Sequence, residues 1–312
     1  MSGFLNVDKP AGWTSFRVAA VVRRRSGVRR VGHTGTLDPT ATGVLVVCLG
    51  AATRLSEYVM EQSKTYRAEV RLGVATDTFD AVGVPVSQAD PSGVSRDQVE
   101  QTLAPFLGGI EQVPPLFSAI KLAGEPLYRY ARSGREVQPR PRRVVIHRLQ
   151  LLAFQPPLLT IELECGKGTY VRSLAHDLGQ RLGCGAHLAT LVRLRVGPFT
   201  LEDACTLPHL EQAFDEERWQ HLVLPPDTTL AHWPRIDLTE EQATAVRFGQ
   251  ALAAGLALSP PQEPADGALA RAYGPEGGLL AVLRYDGPAA LWHPSKVFAV
   301  APGGAREQTV QG

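Results

Sequence analysis

From Lys64 to Gly73 polar and apolar residues alternate without a break, with Tyr66, Ala68, Val70 and Leu72 on one side and Thr65, Arg67, Glu69 and Arg71 on the other. A period of two belongs to an extended chain with one buried and one wet face, so this stretch predicts a half-buried strand and a sheet for it to join. Val144–Phe154 and Leu158–Glu164 predict two further strands, turned back on each other through Gln155-Pro156-Pro157. Helical spacing intervenes between them. Thr14 or Ser15 can cap a helix to about Arg25, with Phe16, Ala19, Ala20 and Val22 inward and Gly27 stopping it. Val171, Leu174, Ala175, Leu178 and Leu182 recur at three- and four-residue steps, and Gly183 stands where a C′ glycine ends a helix. Hairpin-joined strands interrupted by helices, with no regular strand–helix rhythm, predict an α+β fold around a mixed, mostly antiparallel sheet.

Between Pro208 and Pro234 the chain becomes acidic and proline-punctuated, which predicts the end of a main domain spanning residues 1–232. Beyond it, a helix near Thr239–Gln250 and strands near Gly267–Ala272, Gly278–Tyr285 and Lys296–Val300 predict a small β-rich domain over 233–312, frayed in its last ten or so residues. No run of about 18 apolar residues occurs, and the start, with Asn6, Asp8 and Lys9, is not a basic cap before an apolar core, which predicts a soluble, cytoplasmic protein. Cys48, Cys165, Cys184 and Cys205 form no C-x-x-C pair, and the histidines have no ligand spacing. That predicts buried thiols, no metal and chemistry carried by side chains without a cofactor.

The net charge of +1 conceals two basic blocks. Residues 1–35 carry seven Lys/Arg against Asp8 alone, and residues 119–150 carry eight against Glu125 and Glu136, whereas residues 201–241 carry ten acids and only Arg218 and Arg235. Such a division suits a polyanion meeting one face. Arginine dominates both blocks, and its planar fork matches phosphate oxygens.

The densest feature is Gly32-His33-Thr34-Gly35-Thr36-Leu37-Asp38-Pro39-Thr40-Ala41-Thr42-Gly43-Val44-Leu45. Three glycines, a proline and four threonines exclude a regular helix or central strand, so this is a structured loop entering the apolar strand Val44–Leu49. Its one carboxylate, Asp38, precedes Pro39, which favours extended backbone and projects the side chain. Taken alone, Asp-Pro signals only a turn.

The whole string resembles the G-H-T-G-x-L-D-P-x-A-T-G-x-L signature of the bacterial tRNA pseudouridine-55 synthases, the TruB family of pseudouridine synthases. Asp8-Lys9-Pro10-Ala11-Gly12-Trp13-Thr14-Ser15 resembles that family's opening segment, Lys64-Thr65-Tyr66 its K-x-Y strand, and Gln112-Val113-Pro114-Pro115-Leu116-Phe117-Ser118-Ala119-Ile120-Lys121 its Q-x-P-P-x-x-S-A-x-K loop. Cys165-Gly166-Lys167-Gly168-Thr169-Tyr170-Val171-Arg172 is similar to its arginine-bearing segment, and Trp292-His293-Pro294-Ser295-Lys296-Val297-Phe298 to the closing strand of a PUA domain. Thr40 departs from a common leucine, and Val192 from a frequent arginine.

The resemblance implies isomerisation of the uridine at position 55 in the tRNA T loop. Asp38 is the implied catalytic residue, with Arg172 to hold it ionised and Tyr66 to stack on the uracil and assist a late proton transfer. It implies that His33 holds the RNA loop with its uridine turned out, that Lys9, Thr36, Tyr170, Leu194 and Lys121 contact substrate, and that Arg132, Arg142, Arg143 and Arg193 meet phosphates. It further implies an RNA-gripping insertion over about 112–145, a PUA-like domain over 233–312, and a monomer whose partner is the T arm of tRNA, without protein partner or membrane. Whether Asp38 attacks C1′ or the uracil ring stays open. An RNA-binding or tRNA-folding protein is the alternative of another class. A glycosidase or nucleosidase fits less well, since that chemistry generally uses two carboxylates and the loop offers one.

Overall fold

In the computed structural model, which describes residues 1–298 apart from 119, 123, 134 and 136, the alternating segment is the strand Lys64–Leu72, with Ala68, Val70 and Leu72 buried. It lies inside a mixed sheet of ten strands among the described residues. Along the sheet the order is Cys205–Thr206, Gly3–Lys9, Thr42–Leu49, Ala186–Val196, Lys64–Leu72, Leu158–Cys165, Arg142–Gln155 and Gly108–Gln112; Phe199–Thr200 pairs beside Ala186–Val196, and Val31–His33 beside Thr42–Leu49. Parallel pairing occurs at Gly3–Lys9 with Cys205–Thr206 and at Thr42–Leu49 with Ala186–Val196; the other pairs are antiparallel. The fold is thus the mixed α+β expected. The expected fraying at the C-terminus lies outside the described residues.

The second parallel junction sets the frame for the loop of residues 32–41. Gly43 faces Arg193 across it, with φ of +98°, and a Cβ there would stand 2.3 Å from the Arg193 carbonyl oxygen. Only glycine allows the two backbones to approach this closely.

Helices cover the sheet where their apolar stripes dictate. Ser15–Ser26 is capped by Thr14, whose side chain accepts from the Arg17 amide, and ends at Gly27 in the left-handed conformation. Its buried face is Ser15, Val18, Ala19 and Val22, a set at steps of three and four; Phe16 is 71% exposed and Ala20 is only half-buried, which corrects the expected face. Val18 and Val22 pack with Leu5, Val7, Leu45 and Val47, with Phe214 of the helix Leu207–Asp215, and with Trp219 beyond it. On the other half of the sheet, the helices Arg96–Leu103 and Val171–Arg181 bury Val99, Leu174, Ala175 and Leu178 against Ala68, Val70, Ile161 and Leu163. Each fully buried leucine of this kind contributes about 2 kcal/mol of transfer free energy. Residues 113–141, between the antiparallel strands Gly108–Gln112, at the sheet edge, and Arg142–Gln155, carry the short pairing Lys121–Leu122 with Glu125–Pro126 and the helix Leu127–Arg132.

The chain divides into two compact units, Gly3–Leu224 and Pro225 onward. The division falls ahead of the 232/233 boundary expected, because the turn at Pro226–Leu230 belongs with the second unit: the Asp227 carboxylate accepts from the Tyr273 hydroxyl at 2.5 Å. In that unit the sheet runs Arg235–Asp237, Leu269–Tyr273, Leu279–Asp286, Leu291–Val297, Leu252–Ala253. The helix Glu240–Arg247, capped reciprocally by Thr239 and Gln242, packs Ala243 and Val246 with Ile236, Leu283 and Trp292. The strand expected at Lys296–Val300 begins instead at Leu291. Among the described residues no helix is long and apolar enough to cross a membrane.

Candidate active site

Asp38 stands on the irregular loop between Val31–His33 and Thr42–Leu49, and this loop is held mostly by bonds from residues outside it. Ser15 Oγ accepts from the Leu37 amide at 2.9 Å and donates to the Leu37 carbonyl at 3.2 Å. The Gly12 amide donates to the Pro39 carbonyl at 2.8 Å, and the Ala41 amide to the Asp38 carbonyl at 3.1 Å. Lys9, fully buried, donates from Nζ to the carbonyls of Trp13, Pro10 and Pro39 at 2.7, 3.0 and 3.2 Å. Burial, then the nearby Arg193 charge, push Lys9 down to about 8. Arg193, 2% exposed, donates to the carbonyls of Val44 at 2.7 Å and Gly35 at 3.2 Å. Lys9 and Arg193, expected among the RNA contacts, are internal ties of the loop that bears Asp38. Carbonyl oxygens solvate both charges within the fold.

Opposite the loop, the helix Val171–Arg181 delivers Arg172 from its first turn. The guanidinium grips Asp38 through both carboxylate oxygens, Nε to Oδ2 at 2.9 Å and Nη2 to Oδ1 at 3.2 Å. Its remaining donors reach the Phe117 carbonyl at 3.0 Å, and Asp80 Oδ2 and the Thr78 carbonyl at 3.4 Å each. Two further bonds set the start of this helix: the Gln112 side chain brackets Tyr170 through both its carbonyl and its amide, and Ser173 Oγ donates to the Val113 carbonyl. The Gln112–Lys121 loop therefore braces the arginine-bearing helix.

Asp80 is a partner that the sequence did not reveal. It follows Asp77 by three residues, and nothing in the composition separates them. In the fold Asp77 is exposed and accepts from the Val84 amide, whereas Asp80 is 8% exposed and turned toward Arg172. The outcome is a carboxylate–guanidinium–carboxylate row with one arginine between two aspartates.

Burial pushes the Asp38 carboxyl above its ordinary range; Arg172 and, less strongly, Lys9 oppose this, while the Asp80 charge adds to it. If the carboxylate is the reactive form, activity falls as pH drops through this raised value. Asp80→Asn removes a like charge and leaves Arg172 to Asp38 alone, so the acidic limb of single-turnover activity moves to lower pH, with a reduced plateau. A limb that moves upward, or stays put, would refute the coupling.

Tyr66 is half-buried on the strand Lys64–Leu72. Burial raises its phenol pKa, against the lowering effect of an Arg193 charge and hydrogen bond, and Asp38 is near enough to add to the rise. Its hydroxyl therefore keeps its proton at neutral pH, which, of the two roles the resemblance implies, favours stacking over proton transfer. His33 ends its short strand half-buried, is held neutral by burial and Arg193, and has a buried Nδ1 without a hydrogen-bond partner among the described residues. Thr36 is exposed at the loop rim, Tyr170 and Leu194 are half-buried, and Arg142 and Arg143 are exposed. The side chains of Lys121 and Arg132 lie outside the described residues.

Asp38, Thr40, Asp80, Arg172 and Leu191 line one narrow cleft. Larger depressions lie elsewhere, one along Arg71, Gln88 and Pro156, another along Gln98, Arg181 and Cys184. Neither contains Asp38 or Arg172, and chemistry rather than volume selects the smaller cleft.

Comparison with known proteins follows the same lines. A family model described as the TruB family pseudouridylate synthase N-terminal domain matches residues 23–171. Another, described as the tRNA pseudouridylate synthase B C-terminal domain, matches residues 172–231. A protein named tRNA pseudouridine synthase B from Dehalococcoides mccartyi is 44% identical over 298 residues, which is 96% of this chain and 97% of that one. Its namesake from Symbiobacterium thermophilum is 52% identical over 254 residues, 80% of this chain and 83% of that one. Among solved structures, a Cbf5-Nop10-Gar1 complex contains a chain similar at a TM-score of 0.71 and 28% identity, covering 91% of this chain and 78% of that one. An H/ACA RNP bound to a substrate RNA containing 2′-deoxyuridine gives 0.73 and 26%, with 96% and 85% covered.

Proposed function

Because this chain belongs to the TruB family of pseudouridylate synthases, we propose that it isomerises the uridine at position 55 in the T loop of tRNA, with Asp38 as nucleophile, in the cytoplasm and as a monomer. Its activity as a tRNA pseudouridine synthase follows from the relatives.

Forming pseudouridine breaks the C1′–N1 bond, turns the uracil, joins C1′ to C5 and releases the C5 proton. A carboxylate that attacks C1′ or the ring, or stabilises charge there, meets this demand. The observation that carries the reading is the bidentate Arg172–Asp38 pair at the mouth of the cleft. A fork that fixes both oxygens keeps the carboxylate ionised and aimed. The target base must leave its stack to reach it, at a cost of about a few kcal/mol. Tyr66 offers the base a ring face, and the exposed Arg142 and Arg143 offer its phosphates a partner. The β-rich second unit is proposed as a PUA-like RNA-binding module.

The test is incubation of the purified chain with an unmodified tRNA transcript, followed by mapping of pseudouridine at single-nucleotide resolution. Product at the T-loop uridine is expected. A chain that binds the transcript yet leaves that uridine unchanged favours a binding or tRNA-folding role instead.

A further inference from the structure

We infer that the stacked rings of Phe79 and His176 form a clamp that holds Asp80 against Arg172, which makes both of them positioning residues for the reaction proposed above, on whose reading this step rests.

Asp80 sits on a turn whose polar bonds are mostly internal. Thr78 Oγ1 and the Val82 amide donate to Asp80 Oδ1 at 2.6 and 3.2 Å, Thr76 Oγ1 donates to the Asp80 carbonyl at 2.7 Å, and the Phe79 amide donates to the Thr76 carbonyl at 3.2 Å. These bonds aim the carboxylate within the turn but do not fasten the turn to Arg172. The two bonds from Arg172 itself are long, 3.4 Å each, and the Leu188 amide adds one tie to the Phe79 carbonyl at 2.9 Å.

The missing fastener is the ring stack. The Phe79 and His176 centroids lie 3.9 Å apart with planes 17° from parallel. Arg172 and His176 are four residues apart on the helix Val171–Arg181 and so share one face. The stack therefore joins the residue before Asp80 to the turn of helix after Arg172.

Two details indicate that this contact is selected rather than incidental. Phe79 adopts φ of +64°, a left-handed conformation that a large side chain keeps only where its surroundings hold it. His176 Nδ1 is buried without a hydrogen-bond partner among the described residues, so the imidazole serves here as a flat ring and not through that nitrogen.

The experiment compares Phe79→Gly, His176→Ala and His176→Phe in the full chain by steady-state and single-turnover assays on tRNA transcript, with thermal melts as the folding control. Phe79→Gly removes the ring while making the left-handed backbone easy, so its loss of activity does not come from strain. Phe79→Gly and His176→Ala are expected to lower kcat about ten- to a hundred-fold with KM within about two-fold, as for a displaced catalytic group. Their acidic limb should move to lower pH, as in Asp80→Asn, and either change added to Asp80→Asn should cost little more. His176→Phe should restore most activity. Amide exchange at Val82 and Leu188 should rise in Phe79→Gly and His176→Ala, a readout that decides the clamp even in a chain that makes no pseudouridine. Unchanged exchange overturns the inference. So does wild-type kcat in both ring-deleted variants, a loss confined to KM, full additivity with Asp80→Asn, or a His176→Phe variant as impaired as His176→Ala. Failure of the wild type to modify tRNA would instead sink the functional reading.

Discussion

Asp38→Asn should lower pseudouridine formation by about a thousand-fold or more, the scale seen when a nucleophile is removed, while tRNA affinity stays within about three-fold. The substitution preserves shape and removes the anion. Arg172 is not left without a counter-charge, because Asp80 lies 3.4 Å from its Nη1. The Asp38 carboxyl is raised chiefly by burial, so a neutral amide is easier to bury than the carboxylate and the fold should be no less stable. Binding should persist because the proposed phosphate contacts come from exposed arginines that do not line the cleft, such as Arg142 and Arg143. Single-turnover assays and equilibrium binding on the same transcript separate the two effects. Residual turnover above about one part in a hundred would remove Asp38 from the chemistry, and a matching collapse of affinity would mean that it reads RNA instead.

What sequence could reveal depended on whether the deciding interaction was local. Thr14 bonds within the first turn of its own helix and Gly27 ends it by a left-handed conformation of its own, so both limits are legible. Its inward face was less so: Phe16 suggested the core by hydrophobicity alone, but the pleat of the sheet below accepts Val18, Ala19 and Val22. Residue pattern alone places the strand Leu291–Val297 too late in the chain, because Pro294 interrupts it, whereas the resemblance at Trp292–Phe298 falls within one residue of it. Proline is tolerated there because the pairing slips, Val282 facing Lys296 and Leu283 facing Pro294, so that Ser295 bulges. The three-residue strand Arg235–Asp237 has too few residues to alternate.

At the site, the loop bearing Asp38 was legible because its irregularity is encoded in adjacent residues. The burial of Lys9 and Arg193 is not legible, for the opposite reason. A positive side chain in sequence carries no record of whether carbonyls or water will surround it, and here carbonyls from Pro39, Gly35 and Val44 do. Asp80 stayed hidden because its significance lies in a guanidinium 92 residues away.

Arg172→Met should be the most damaging substitution to the fold and the site together. The side chain is 6% exposed and joins five acceptor groups: both oxygens of Asp38, one of Asp80, and the carbonyls of Thr78 and Phe117. Methionine fills the volume but offers no donor, so two carboxylates share a cleft without a cation. Breaking a buried ion pair from one side costs about 3–5 kcal/mol, which for a unit of this size lowers the melting temperature by about 10 °C. The protein can avoid part of that cost by protonating Asp38, which removes the proposed nucleophile. Activity should therefore fall at least as far as in Asp38→Asn, and any remainder should have its acidic limb at higher pH, opposite to Asp80→Asn. Adding Asp80→Asn to Arg172→Met should recover stability, because one of the stranded charges is gone, but should not recover turnover, because Asp38 remains without its fork. Arg172→Lys tests the geometry apart from the charge: one ammonium cannot span both Asp38 oxygens and Asp80 at once, so stability should return before activity does. If Arg172→Met melts within about 2 °C of the wild type, or if Arg172→Lys turns over like the wild type, the row of aspartate, arginine and aspartate does not hold the reacting carboxylate.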